Sequence, residues 1–220
     1  MFNPEDEECR NKLSTELLKI TDFEHAKMRL QCSIRPYPYQ QEILDKLEAE
    51  RKVRGYNRNL VVAATGTGKT VTAVMDAKRC GGRVLFVAHT MELVNQAYNT
   101  FKNLWDTISV GKFADSVKDT DSHVICGSIQ SVALNLELFQ DNDFDYIIID
   151  EAHHASADTY QKVLAYFKPK FTLGLTATPE RADDTNILEI FKNTAHKLDI
   201  QTAVEIVVVF IGGQIPDLAI

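Results

Sequence analysis

The sequence has no C-x-x-C pair and no group of histidine and cysteine at zinc-ligand spacing, which removes zinc fingers and ribbons from consideration. Its four cysteines, Cys9, Cys32, Cys80 and Cys126, are scattered. That usage fits a reducing compartment, and Cys126, inside an apolar run, reads as core. Long hydrophobic runs are lacking as well. The longest, residues 206–211, falls far short of the roughly 20 residues that cross a bilayer, so no membrane partner is expected. Met1 to Asp6 is polar and acidic, unlike a secretory leader, and the cytoplasm is the expected location. An excess of basic residues is also missing: 31 acidic against 24 basic side chains give a formal charge of -7. A domain that holds nucleic acid by itself is usually basic, so a strong free-standing grip is disfavoured. A shallow contact completed by another domain is compatible with this charge.

What is present suits one large α/β domain with a small N-terminal appendage: 220 residues, 45% hydrophobic and 25% charged, without repeat or low-complexity tract. Residues 5–32 read as one or two amphipathic helices, with Leu13, Leu17, Leu18 and Ile20 on one stripe. Arg35-Pro36-Tyr37-Pro38-Tyr39 interrupts, because each proline disfavours helix in the residue before it. The expected division is therefore an N-terminal helical extension or linker over 1–33 and a main domain over 34–220.

Residues 40–54 are helical in pattern, with Ile43, Leu44 and Leu47 on one face. Beyond Gly55, short apolar strands alternate with helical stretches. Strands are expected at 60–64, 84–89, 124–126, 146–149 and 171–175, and helices at 70–79, 92–105, 129–138 and 157–167. A last strand is expected at 207–210. Near-continuous apolar strands separated by helices imply a mostly parallel sheet covered on both faces, a three-layer sandwich. Right-handed crossovers bring all the parallel strand ends to one edge, where ligands bind.

The first strand runs into Ala64-Thr65-Gly66-Thr67-Gly68-Lys69-Thr70, a P-loop with Ala63 at the place of the usual first glycine. Gly66 and Gly68 let backbone N–H groups converge on phosphate oxygens, and the following helix turns its positive end on the same anion. Residues Thr65 to Thr70 are thus the expected nucleotide-binding loop. Lys69 is placed to reach the β- and γ-phosphates, and Thr70 to put its hydroxyl on Mg²⁺. The bland alternative is a glycine-rich turn from strand to helix.

The strand at 146–149 delivers Asp150-Glu151-Ala152-His153. Two adjacent carboxylates at a buried strand end suit metal-dependent phosphate chemistry. Asp150 is the candidate Mg²⁺ holder, through water, and Glu151 the group that orients the attacking water. An acidic first turn favoured by the helix dipole is the structural alternative. His153 has a plausible coupling role, while a local hydrogen bond accounts better for His154.

Asp150–His153 together with Thr176-Ala177-Thr178 resembles the superfamily 2 helicases, whose ATP-binding half has a RecA-like P-loop NTPase fold. The stretch Leu173-Gly174-Leu175-Thr176-Ala177-Thr178-Pro179-Glu180-Arg181 is similar to the branch containing type I and type III restriction motor subunits and related bacterial defence helicases. The resemblance runs from about residue 36 to 192. It implies ATP and Mg²⁺ as cofactors, nucleic acid as partner, with duplex DNA favoured over RNA, and coupling roles for Thr176 and Thr178 toward His153 or Asp150. Pro38-Tyr39-Gln40 is similar to the adenine-recognition motif, with Gln40 on the base edge, though Tyr37 stands where the family usually has arginine. His89 and Thr90 fall in one segment similar to a strand-binding motif, and Ser128 and Gln130 in another. Helix N-terminal and turn chemistry are the alternatives for these three segments.

The resemblance also implies a second RecA-like domain that closes over ATP and supplies an arginine finger, worth ~10³–10⁵ in rate. The sequence is too short to contain one, so this chain is expected to bind MgATP, to hydrolyse it slowly and not to unwind. Two other classes compete: a different P-loop enzyme such as a small-molecule kinase or transporter ATPase, and a stand-alone ATP-gated binding or regulatory module.

Overall fold

The β-forming stretches after Gly55 are apolar at nearly every position, so they are stable only with both faces covered. The computed structural model describes residues 35–154, 158–177, 190–191 and 193–198. The chain divides into two units, Met1–Pro36 and Tyr37–Ile220, and the elements described belong to the second. In chain order they are α1 (Pro38–Lys52), β1 (Arg58–Ala63), α2 (Lys69–Cys80), β2 (Val84–Ala88), α3 (Met91–Leu104), β3 (Val110–Ala114), β4 (Val117–Lys118), β5 (Val124–Ser128), α4 (Ile129–Leu134), β6 (Tyr146–Ile149), α5 (Asp158–Tyr166), β7 (Phe171–Thr176) and β8 (Thr194–Leu198). The helices expected at 5–32 and the strand expected at 207–210 lie outside the described residues.

The strands form one sheet in the order β4-β3-β5-β2-β6-β7-β1-β8, parallel throughout except for the β3–β4 hairpin. Alternation along each strand builds two cores. Leu60, Val62, Leu85, Val87, Ile147 and Ile149 pack on one face with Ile129 and Val132 of α4 and Val163 and Leu164 of α5. Val61, Phe86, Cys126, Ile148 and Leu175 pack on the other with Ile43 of α1, Val74 of α2 and Phe101 of α3. The result is the expected three-layer α/β sandwich around a mostly parallel sheet.

Three differences from the sequence-based expectation have local causes. The helix expected over 129–138 stops at Leu134, and a 3₁₀ turn follows at Leu136–Leu138. Asn135 leaves the helical region at φ -134°, and its side-chain amide donates to the Ser131 carbonyl at 2.7 Å, replacing a ladder bond. The β3–β4 hairpin and β8 were not expected at all. β4 and β8 are the two edge strands and β3 lies next to β4, half-buried in pattern and without the continuous apolar run of the central strands.

At the end of the sheet where the strands begin, Asp76 of α2 is fully buried. It accepts both Arg51 guanidinium bonds, at 2.7 and 2.6 Å, and the Tyr146 hydroxyl at 2.5 Å. The guanidinium also lies over the Phe171 ring, 5.3 Å from its centroid. α1, α2, β6 and β7 are pinned together there, which leaves their opposite ends to present the candidate site.

Candidate active site at the ends of the parallel strands

Three consecutive strands, β6, β7 and β1, end at this edge in Asp150–Glu151, Thr176 and the P-loop. With neighbouring strands roughly 4.8 Å apart, the loop and the acidic pair sit ~10 Å from each other, a span that admits a triphosphate and one cation.

The loop is folded around the Ala64 carbonyl. That oxygen accepts the Thr67 hydroxyl at 2.7 Å, the Thr67 N–H at 3.4 Å and the Lys69 ammonium at 3.3 Å. Gly66 and Gly68 have φ of 85° and 70°, the left-handed region that only glycine takes without strain. A Cβ on Gly66 would meet nothing within 4 Å, so this side of the loop is open. A Cβ on Gly68 would lie 2.8 Å from the Gln40 amide nitrogen.

Gln40 therefore abuts the phosphate loop. It is also a cap: its side-chain oxygen accepts the Tyr37 N–H at 3.0 Å and satisfies the start of α1. The Tyr39 hydroxyl donates to the Thr67 carbonyl at 2.8 Å, and its ring stacks on Tyr37 at 5.9 Å with 7° between planes. Tyr37, at the place of the family's arginine, is half exposed. Both the capping alternative and the approach of Gln40 to the nucleotide loop are thus realised in one residue.

The Asp150 N–H donates to the Val87 carbonyl at 3.0 Å, extending the β6–β2 ladder. Its carboxylate, 4% exposed, accepts the Glu151 N–H at 3.0 Å. Glu151 has φ 52°, a left-handed conformation that costs a glutamate about 1–3 kcal/mol. The turn lets the two carboxylates take different partners: Glu151 Oε2 lies 3.1 Å from His153 Nδ1, and that nitrogen lies 3.4 Å from the fully buried Thr176 hydroxyl. Thr176, His153 and Glu151 therefore form a chain from β7 to the acidic pair. Thr178 lies outside the described residues.

Burial raises the Asp150 pKa, outweighing the lowering by the Glu151 N–H. Burial lowers the Lys69 pKa, against the pull of Glu151 and Asp150. A desolvated anion and a desolvated cation facing one edge are the environment that a phosphate–cation pair completes. The donor set suits Mg²⁺: one or two carboxylates and a hydroxyl, the remaining ligands being phosphate and water. Among the described residues no group of three or more His, Cys, Asp or Glu could hold a metal by itself.

The other candidates fall on the next two strands. His89 and Thr90 follow β2, Ser128 ends β5, and β2 pairs with β5. Thr90 and Ser128 are N-caps of α3 and α4, accepting the Leu93 N–H at 3.3 Å and the Ser131 N–H at 3.2 Å. Their O–H groups keep the capacity to donate outward. Thr90 and Gln130 are exposed, Ser128 is buried and His89 is partly buried. These four residues share the sheet edge with the P-loop and lie across β6 and β7 from it. Sequence reasoning placed Tyr39 in the adenine-motif segment but missed its bond to the phosphate loop. That bond spans 28 residues of chain and is made only through the fold.

Residues 33–181 match the model of the family described as type III restriction enzyme, res subunit. IRC3 of Saccharomyces cerevisiae, named as an ATP-dependent helicase, is 32% identical over 165 residues, covering 66% of this chain and 24% of its own length. The type I restriction enzyme EcoAI endonuclease subunit of Escherichia coli is 29% identical over 184 residues, covering 77% of this chain and 22% of its own. The chain thus spans about a quarter of the length of these relatives. The Hef helicase domain of Pyrococcus furiosus superposes with a TM-score of 0.60 at 26% identity, over 74% of this chain and 38% of that one. With the fold and the matched span in agreement, the chain belongs to the type III restriction enzyme Res-subunit family of superfamily 2 helicases, and its fold is that of their first RecA-like domain.

Proposed function

We propose that this domain binds MgATP at the edge formed by β1, β7 and β6 and serves as half of a nucleic-acid-dependent motor that acts on duplex DNA. The observation that carries the reading is the convergence of the phosphate loop, the buried Asp150–Glu151 pair and the Thr176–His153 contact on adjacent strand ends. Lys69 and the loop N–H groups hold the β- and γ-phosphates. The Thr70 hydroxyl and Asp150 hold Mg²⁺, which when bound neutralises charge developing on the phosphates. Glu151 orients water in line with the γ-phosphate. His153, between Glu151 and Thr176, transmits the state of that carboxylate to β7, with Thr178 in the same coupling element. Gln40 reads the adenine edge beside Gly68.

DNA is favoured because the endonuclease subunit of a restriction enzyme is among the relatives. His89, Thr90, Ser128 and Gln130 offer neutral donors to a phosphate backbone, and recognition of that kind is independent of sequence. The charge of -7 favours contact shared with a second RecA-like domain. That domain also supplies the arginine that completes hydrolysis.

Steady-state MgATP hydrolysis by the 220-residue chain, with and without duplex DNA, tests the reading. Slow turnover that DNA leaves unchanged is expected of a half motor. Fast, DNA-stimulated turnover would contradict the need for a second domain.

A further inference from the structure

One surface of α3 carries charge that the reading above does not use. The chain has 31 acidic residues, yet the stretch from Leu93 to Trp105 has none. Asn95, Tyr98 and Lys102 recur at helical spacing and share one stripe of α3. Lys112 of β3 joins that stripe from the sheet. Its ammonium lies 4.4 Å from the centre of the Tyr98 ring and donates to the Asn95 side-chain oxygen at 2.6 Å. The Lys102 ammonium lies 5.2 Å from the same centre and 3.3 Å from the Tyr98 hydroxyl.

Two cations on one ring repel each other, and an anion between them removes that cost. Elsewhere Lys46, Lys52, Arg54, Lys168 and Lys170 each meet a carboxylate within 2.9 Å. Among the described residues, Lys102 and Lys112 meet none: their contacts are the Tyr98 ring and neutral oxygens. One hydrogen bond leaves each ammonium two further donors. Asn95 and Lys102 are exposed, and Tyr98 and Lys112 are partly exposed, so an anion can approach from solvent.

The place of the stripe decides which anion fits. Tyr98 stands eight residues beyond Thr90, ~12 Å along the helix at ~1.5 Å per residue. A DNA strand advances ~3.4 Å per phosphate, so a backbone seated at Thr90 reaches the lysines three to four phosphates on. Lysine, asparagine and tyrosine side chains are also the usual donors to phosphate and sugar. An acidic peptide would satisfy the lysines alone.

We propose that Asn95, Tyr98, Lys102 and Lys112 form a phosphate-contact surface for duplex DNA, which carries the backbone on from Thr90 along α3. The proposal rests on the reading of the Thr90 edge as nucleic-acid-binding. A local pair of lysines gives such contact within a chain whose formal charge is -7.

The test titrates a labelled DNA duplex with the 220-residue chain, read by fluorescence anisotropy over a series of salt concentrations that starts low. It compares the wild type with Lys102→Gln/Lys112→Gln and with Lys102→Arg/Lys112→Arg. The glutamine variant is expected to bind more weakly, alike for two unrelated duplex sequences. The slope of log affinity against log salt is expected to shrink by about 2, one unit for each lysine. The arginine variant is expected to keep the wild-type slope. Equal affinity and slope in the wild type and the glutamine variant overturn the proposal and leave the Thr90 edge standing. An arginine variant that loses as much as the glutamine variant also overturns it, since that marks a packing role. Poly-glutamate that binds the wild type more tightly than the duplex does, and is lost in the glutamine variant, assigns the surface to an acidic protein instead. A wild-type chain that binds no duplex at low salt removes duplex contact from this domain, and the proposal with it.

Discussion

Gly68 excludes a side chain on two separate grounds, its φ of 70° and the Gln40 amide 2.8 Å from where a Cβ would stand. Gly68→Ala should therefore cost about 1–3 kcal/mol, read by urea unfolding, and weaken ATP binding by shifting the loop. Gly66→Ala meets open space and should carry the strain without the clash. At Glu151 the expectation separates binding from chemistry. Glu151→Gln should keep ATP affinity and abolish turnover in an intact motor, whereas turnover near wild type would remove Glu151 as the water-orienting group. Thr176→Ala deletes the hydroxyl 3.4 Å from His153 and should uncouple unwinding from ATP turnover in an intact motor. Equal, unaltered rates for both would remove the coupling role. Lys69, Asp150 and Glu151 were legible in the sequence because their residue types recur at fixed spacing after strands. Tyr39 was not legible as a loop anchor, because its bond to Thr67 spans 28 residues of chain.

Among the elements, α1 and α2 are joined by charge at the end remote from the site. Asp76→Ala would leave the Arg51 guanidinium buried without its anion and should destabilise the fold by about 3–5 kcal/mol. Replacing the pair together by apolar residues of similar volume should cost far less, which a double-mutant cycle by urea unfolding measures. The central strands were legible because each is apolar on both faces. β8, an edge strand, and β3, beside the two-residue edge strand β4, were not, since strands toward the edge have fewer buried positions and β3 carries Gly111 and Lys112 among its apolar residues. The early stop of α4 was hidden for another reason. Leu136 and Leu138 continue an apolar pattern past Asn135, and only the bond from the Asn135 side chain to Ser131 shows that the helix has ended.

Taken whole, the domain keeps its structural charges at the end where the strands begin and its chemical ones where they finish. Asp145, at the first of these ends, accepts Lys170 at 2.8 Å and the Arg83 N–H at 2.9 Å, which hold its pKa below the usual carboxylate range. A folded-state pKa below the unfolded one gives stability that is complete above about pH 4 and is lost as pH falls through the folded value. Asp145→Asn should flatten that part of the acid denaturation curve and leave neutral-pH ATP binding unchanged. At the other end, the central claim is that Lys69, Asp150 and the loop between β1 and α2 form a MgATP site within this one domain. Isothermal titration of MgATP into the wild-type chain and into Lys69→Ala tests it most directly. The account predicts one site in the wild type and at least about tenfold weaker binding in the variant, as loss of a charge-assisted phosphate contact requires. Equal affinity in the two proteins, or no binding to the wild type, would contradict it.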